Sequence, residues 1–251
     1  MLARLYELAA ASPLVAYSSL AGIKGGVGEL EFPRFIFKGG RGGGDSIRFG
    51  LFAGIHGDEP AGVMALVHLV ERLVQQPELA QGYRLFVYPA CNPTGLIANS
   101  RCSRTGKDLN REFWKDSAET EVRLLEHEIR SQDFHGLISL HTDDSSLGMY
   151  GFVRGAVLSQ ALLEPALQAA EAVLPRNNDP IIDGFAARGG IISQCYDGIL
   201  TSPPELEHAP FEIILETPAT ALEEQQVEAL VRALSSILTE YQKFLAFAAN
   251  L

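Results

Sequence analysis

The chain has 251 residues, 47% of them hydrophobic, with 31 acidic against 20 basic residues and a net charge of −11. That length suits one large α/β domain whose core forms without crosslinks. The negative balance argues against nucleic acid or an anionic membrane as partner, and three cysteines, few and odd in number, argue against a disulfide framework and suit a reducing, cytoplasmic setting.

Met1 to Ala16 is fairly apolar but carries Glu7 and a single early Arg4, so it reads as an amphipathic helix and not as a secretory signal. No other run reaches the ~18 apolar residues of a membrane span. Phe35 to Lys38 and Ile47 to Ile55 read as neighbouring strands. The tract Gly39 to Asp45 between them reads as a flexible hairpin turn, since neither a Lys-Ser/Thr pair nor a helix follows to make it a phosphate loop.

The second of these strands runs into Gly54-Ile55-His56-Gly57-Asp58-Glu59-Pro60. His56 and Glu59 can converge on one cation, and a histidine with a carboxylate is an ordinary zinc ligand set. A polar turn at a strand end accounts for the same residues. Gly54 and Gly57 permit tight turning and close backbone approach. Pro60 to Gln75 reads as a helix, with proline suited to its first turn.

Tyr83 to Pro89 is a strand and Ser117 to Ser131 a helix. Between them lies a long polar loop with Cys91-Asn92-Pro93-Thr94-Gly95, Arg101 and the stretch Gly106 to Phe113. Long ordered loops are often functional. Arg101 can stabilise a developing oxyanion, and Asn110 with Arg111 can grip a carboxylate. A solvated basic loop fits these residues as well.

Gly136 to Leu140 is a second buried strand, ending in His141 and followed by Thr142-Asp143-Asp144. His141 shares the context of His56 at a strand end, where open α/β sheets bind ligands, and is the best candidate for a third metal ligand. His68 and His127 fall in helix-like segments, His135 precedes its strand and His208 lies in a proline-rich loop. Ser159 to Leu174 is a helix, and residues 177 to 210, rich in Gly, Pro and Asn, are expected to loop over the site. Phe211 to Pro218 is a third buried strand with Glu216 at its mouth, where Pro218 stops the ladder. Glu216 is either a solvated strand-end acid or, beside a metal site, a general base. Leu222 to Ala248 closes the chain as a long amphipathic helix, with Val227, Leu230, Val231, Leu234, Leu238, Tyr241 and Leu245 on its apolar face. With no internal repeat and no linker, the expected fold is α/β, a single domain over residues 1–251. Its central sheet is mixed and mostly parallel, with helices on both faces.

The ordered set His56-x-x-Glu59, Asn92-Pro93-x-Gly95, Arg101, Asp108-Leu109-Asn110-Arg111-x-Phe113, His141 and Glu216 resembles the zinc carboxypeptidase superfamily. That group includes murein-peptide amidases and the succinylglutamate desuccinylase/aspartoacylase branch. The resemblance covers about residues 46 to 220, and its most specific piece is Asp-x-Asn-Arg with an arginine seven residues before the Asp. It implies a carboxypeptidase-like, phosphorylase/hydrolase-like fold and zinc held by His56, Glu59 and His141. Glu216 is then the general base and Arg101 the oxyanion partner, while Asn110 and Arg111 hold the substrate's terminal carboxylate. Tyr196 falls near the place of a substrate-capping tyrosine. Asp143 and Asp144 depart from the superfamily, whose third ligand is usually followed by small or aromatic residues. They can orient a ligand, bind a substrate ammonium, hold a second metal, or form a solvated turn.

Two enzyme functions follow from the resemblance. One is a metallocarboxypeptidase or peptide amidase, the other an N-acyl amino acid deacylase of the aspartoacylase type. The substrate is accordingly a peptide or an N-acyl amino acid. Asn92-Pro93-x-Gly95 and Tyr196 lean towards peptides. Intact Glu216 and Arg101 argue against a third function, an inactive zinc-binding interaction protein.

Overall fold

The computed structural model describes residues 1–25, 28–42, 45–154, 157–203, 205–206 and 209–248. The first part of the chain forms α1 (Ala3–Ala11), β1 (Val15–Gly25), β2 (Gly28–Lys38), β3 (Ile47–Phe52), α2 (Pro60–Gln75) and β4 (Tyr83–Tyr88). Next come α3 (Pro93–Ala98), α4 (Thr120–Ser131), β5 (Gly136–Asp143), β6 (Tyr150–Arg154) and α5 (Val157–Ala170). The chain closes with β7 (Ile181–Ile182), β8 (Phe185–Arg188), β9 (Ile191–Ile192), β10 (Phe211–Pro218) and α6 (Glu223–Ala248).

The strands join in one sheet in the order β1-β2-β4-β3-β5-β10-β6-β9-β8-β7. Its centre, β4-β3-β5-β10, is parallel, and the β1-β2-β4 and β10-β6 edges are antiparallel. The central strands are the near-continuous apolar runs of the sequence, as expected for strands covered on both faces. Alternate residues of each strand point to opposite faces. Phe49, Leu51, Ile138, Leu140, Ile213 and Leu215 bury against α2, α5 and α6. Phe52, Phe86, Tyr88 and Leu137 bury on the other face against Val122, Leu125 and Ile129 of α4. Helices therefore cover both faces. Among the described residues, no helix is long and apolar enough to cross a membrane.

The helix expected over Met1 to Ala16 stops at Ala11, and Val15 already belongs to β1. Phe35–Lys38 and Ile47–Ile55 are not neighbours, because β4 lies between them, antiparallel to β2 and parallel to β3. The segment joining them crosses the start of β4, with Gly39 N–H donating to Tyr83 O and Ile47 N–H to Gly82 O, each at 2.9 Å. Local turn chemistry carries no information about a third strand that enters the ladder later in the chain. Residues 43–44 of the expected hairpin turn, like His208, lie outside the described residues. The loop region 177–210 also contributes β7, β8 and β9 to the sheet edge. On α6, Val227 to Tyr241 are buried as the apolar stripe requires, whereas Leu245 is 42% exposed, beyond the last contact with the sheet.

Gly57 shows how tightly the loop after β3 is held. A Cβ there would overlap the carbonyl carbon and oxygen of Gly95, whereas one on Gly40 would meet nothing. Gly57→Ala is expected to cost about 1–3 kcal/mol through overpacking, and Gly40→Ala less than ~0.5 kcal/mol. Denaturant midpoints of the two variants check this, and equal losses would contradict it.

Candidate active site and metal centre

Because β4, β3, β5 and β10 are parallel, their C-terminal ends open on one edge of the sheet. Beyond β3 the backbone turns at Gly54, with φ at +65°, a conformation that favours glycine. Asn92 locks this turn. Its N–H donates to Gly54 O at 2.8 Å and its Nδ2 to Ile55 O at 3.2 Å. Its Oδ1 caps α3 by accepting Gly95 N–H at 2.9 Å, and Pro93 occupies the first turn. The Asn-Pro-x-Gly segment thus builds the scaffold of the His56 loop.

His56, Glu59 and His141 are 3%, 7% and 2% exposed and converge. His56 Nδ1 lies 2.6 Å from Glu59 Oε1, and His141 Nδ1 lies 3.0 Å from Glu59 Oε2 and 3.3 Å from His56 Nδ1. One potential ligand atom from each falls within 4.8 Å of the others, and among the described residues this is the group able to hold a metal ion. Each ligand is fixed from behind. His56 Nε2 meets Asp108 Oδ1 at 3.1 Å, His141 Nε2 meets Ser139 Oγ at 2.9 Å, and Thr142 N–H donates to Glu59 Oε2 at 3.2 Å. An ionised carboxylate can only accept, so Asp108 favours a proton on Nε2, and a cation replacing the Nδ1 proton that faces Glu59 would meet the Nδ1 lone pair.

The electrostatics match this donor set. Burial opposes charge on Glu59, but His141 and His56 beside it hold its carboxyl down to about 2. Burial pushes His141 towards its neutral, ligating form. Burial also works against a proton on His56, yet hydrogen bonds to Asp108 and Glu59 outweigh it and raise the ring's pKa. A cation among these atoms would take the place of that proton. Two imidazole nitrogens and a carboxylate, each with an outer partner, fit zinc.

Around this centre lies a pocket of about 440 Å³ that gathers the candidate metal, catalytic and substrate-binding residues: His56, Glu59, Arg101, Asn110, Arg111, His141, Tyr196 and Glu216. Glu216 pairs in register with His141 across β10 and β5. Its carboxyl is pushed well above the usual range, first by burial and then by Glu59, Asp143 and Asp183, with Arg101 opposing. Arg101 Nε donates to Asp108 Oδ2 at 3.1 Å, and its Nη1 stands 3.5 Å from Glu59 Oε1. Asn110 Oδ1 accepts Leu200 N–H at 2.8 Å. Arg111 donates to Asn110 O at 2.8 Å and lies 4.3 Å over the Tyr196 ring, a cation–π contact. Tyr196 in turn donates to Asp183 Oδ1 at 2.9 Å.

Sequence reading gave no role to Asp108, Ser139, Tyr150 or Asp183. Asp108 stood inside the Asp-x-Asn-Arg motif, and Ser139 one alternation before His141, so both carried a signal. Asp183 lay in a region read only as loop. Asp143 lines the pocket and accepts from Tyr150 Oη at 2.8 Å and from Ser145 N and Oγ at 2.7 Å. His135 is a structural acceptor for Arg48 N–H at 3.0 Å.

The profile of the succinylglutamate desuccinylase/aspartoacylase catalytic domain matches residues 46–178. Among curated proteins, none matches the chain by sequence. Among solved structures, a candidate metallopeptidase from Shewanella amazonensis is 25% identical, covers 94% of this chain and 91% of its own, and superposes with a TM-score of 0.75. A metallo-carboxypeptidase from Burkholderia cenocepacia shares the fold at 17% identity, with 97% of this chain and 68% of its own covered and a TM-score of 0.74. A succinylglutamate desuccinylase/aspartoacylase from Rhodobacter sphaeroides does so at 22% identity, with 90% and 64% covered and a TM-score of 0.62. The matched stretch spans more than half of the chain and carries both histidines, Glu59 and the Asp-x-Asn-Arg motif, and the chain belongs to the succinylglutamate desuccinylase/aspartoacylase family within the zinc carboxypeptidase superfamily of hydrolases.

Proposed function

We propose that the chain is a zinc-dependent hydrolase that cleaves an amide bond next to a free carboxylate, acting as a metallocarboxypeptidase or peptide amidase. The observation that carries this reading is the in-register pairing of Glu216 with His141, with Arg101 and Arg111 on the walls of the same pocket. His56, Glu59 and His141 are the metal ligands. Zinc, when bound, supplies a Lewis acid that acidifies water and polarises a carbonyl.

Glu216 takes the proton of the attacking water and returns it to the leaving amine. Burial and the neighbouring carboxylates favour the protonated form of Glu216, the form that can give its proton to the leaving amine. Arg101, half-exposed and steered by Asp108, donates to the oxyanion, a contact worth ~3 kcal/mol in comparable sites. Arg111 rests on Tyr196 and keeps N–H donors for the substrate's carboxylate, with Asn110 beside it. Holding that carboxylate orients the carbonyl and converts binding energy into rate. The cytoplasmic setting is part of this reading and rests on the few, unpaired cysteines.

The family match favours a second reading, an N-acyl amino acid deacylase using the same residues. Assays of the zinc-loaded protein on blocked dipeptides, murein peptides and N-acyl amino acids decide between the two.

Asp108→Asn is expected to weaken zinc binding by about 10–100-fold with the fold retained. A chelator competition titration alongside circular dichroism measures this, and unchanged affinity would remove Asp108 from the metal centre. Glu216→Gln is expected to keep zinc and lose at least ~100-fold in kcat; full activity would reduce Glu216 to a strand-end acid. Amidating the substrate carboxylate is expected to cost about 2–3 kcal/mol, or roughly 30- to 150-fold in kcat/KM. Arg111→Ala is expected to cost a similar amount on the acid and little more on the amide. A double-mutant cycle between enzyme and substrate reads the coupling. Equal cleavage of acid and amide by the unmodified enzyme would point to an endo-acting hydrolase.

A further inference from the structure

Segment 196–200 is docked along the stretch that carries Asn110 and Arg111. Leu200 N–H donates to Asn110 Oδ1 at 2.8 Å, and Gly198 O accepts Phe113 N–H at 3.0 Å. Gly198 has φ at +76°, and a Cβ there would overlap the carbonyl group of Arg111. Glycine allows this approach of one backbone to the other. Tyr196, at the start of the segment, lines the pocket with Arg111, and the guanidinium carbon stands 4.3 Å from its ring centroid.

The ring is itself held in two ways. Tyr196 Oη donates to Asp183 Oδ1 at 2.9 Å and reaches Asp183 O at 3.1 Å. Phe185 meets the ring edge to face, with centroids 4.8 Å apart and planes at 76°. Asp183 and Gly184 form the two-residue turn between β7 and β8, where Ile182 pairs with Phe185. Both turn residues have positive φ, +50° and +78°, and Asp-Gly is a pair that such a tight hairpin turn favours. The turn fixes Asp183, Asp183 fixes Tyr196, and the Tyr196 ring fixes one face of Arg111.

This arrangement occupies the hydroxyl. Burial and then the hydrogen bond to Asp183 raise the pKa of Tyr196, so its phenol stays protonated and keeps donating. A phenol that donates to a carboxylate gains electron density, and the face of its ring attracts a cation more strongly. Arg111 otherwise donates from Nη1 to Asn110 O at 2.8 Å, and among the described residues no acid forms an ion pair with it. A guanidinium already held on one face loses less freedom when a carboxylate arrives.

We infer that Tyr196 is a positioning residue: Asp183 holds it by the hydroxyl, and its ring face holds Arg111 ready for a substrate carboxylate. This rests on the proposed grip of that carboxylate by Asn110 and Arg111. In this role Tyr196 acts through its ring, whereas a tyrosine that caps the substrate acts through its hydroxyl. The two roles demand opposite behaviour of a phenylalanine in its place.

The test measures calorimetric binding to the zinc-loaded full chain of N-acetyl-alanyl-phenylalanine and N-acetyl-phenylalanine, each as free acid and as amide. Tyr196→Leu is expected to weaken the acids by about tenfold and the amides by less than about twofold. In the Arg111→Ala background it is expected to cost nothing more, because the two changes remove one interaction. Tyr196→Phe, which keeps the ring and its Phe185 contact, is expected to rescue all but about twofold of the loss. Heteronuclear NMR of the Arg111 side chain supplies a readout without ligand. The ring-current shift of the stacked guanidinium is expected to vanish in Tyr196→Leu and persist in Tyr196→Phe. Asp183→Gly, whose backbone suits the turn, is expected to shrink it. An acid preference that survives Tyr196→Leu would overturn the positioning role and leave the carboxylate grip intact. A loss in Tyr196→Phe as large as in Tyr196→Leu, and equal on acid and amide, would assign the hydroxyl to the substrate and overturn it too. A shift that Asp183→Gly leaves whole would remove Asp183 from the arrangement. Acid and amide bound alike by the unmodified protein would overturn the grip itself. Circular dichroism monitors the fold of each variant; should the leucine variant not fold, the phenylalanine variant and the NMR shift decide.

Discussion

Glu216 and His141 stand opposite each other on adjacent parallel strands, and the candidate site depends on that register. A slip of β10 by one residue would turn Glu216 into the main core and carry Ile213 and Leu215 to the opposite face. The buried residues of both faces oppose such a slip, because Ile213 and Leu215 on one side and Ile138 and Leu140 on the neighbouring strand are fixed in the main core. Core packing therefore sets the spacing of Glu216 relative to His141. With β3 parallel to β5, the His56 loop opens on the same edge, and one sheet direction serves three functional strand ends.

Concentrating charge at that edge is costly unless each group is paired. Glu59 is the hub. Its two oxygens reach His56, His141 and the Thr142 N–H, while Arg101 approaches from the solvent side. Asp108 performs two tasks, orienting His56 through Nε2 and holding Arg101 through its other oxygen. A single carboxylate thereby couples the geometry of the candidate metal centre to the position of Arg101. Three inward-facing donor groups remain at the centre of this network, and a divalent cation is the species that satisfies all of them together.

The pocket combines two arginines with Asp143, Asp183 and Glu216 inside a chain of net charge −11. Arg111 keeps its place through the Tyr196 ring and the Asn110 carbonyl, and among the described residues no acid forms an ion pair with its guanidinium. Of the acids, Asp143 accepts from Tyr150 and Asp183 from Tyr196.

The sequence by itself determined what depends on short spacing and on burial. His56 and Glu59 share one turn, α2 matches its expected span from Pro60 to Gln75, and β10 follows the apolar run from Phe211 to Pro218. Periodicity and apolar runs report which residues leave water, and that information is local. Tertiary structure alone decided what depends on distant partners. It placed β4 between β2 and β3, gave Asp108 to a histidine 52 residues away, turned Asn92 into a clamp for the His56 loop, and brought Asp183 to Tyr196. Strand order and side-chain pairing are chosen by which surfaces and hydrogen-bonding edges meet once the chain has collapsed, and no local pattern encodes that choice.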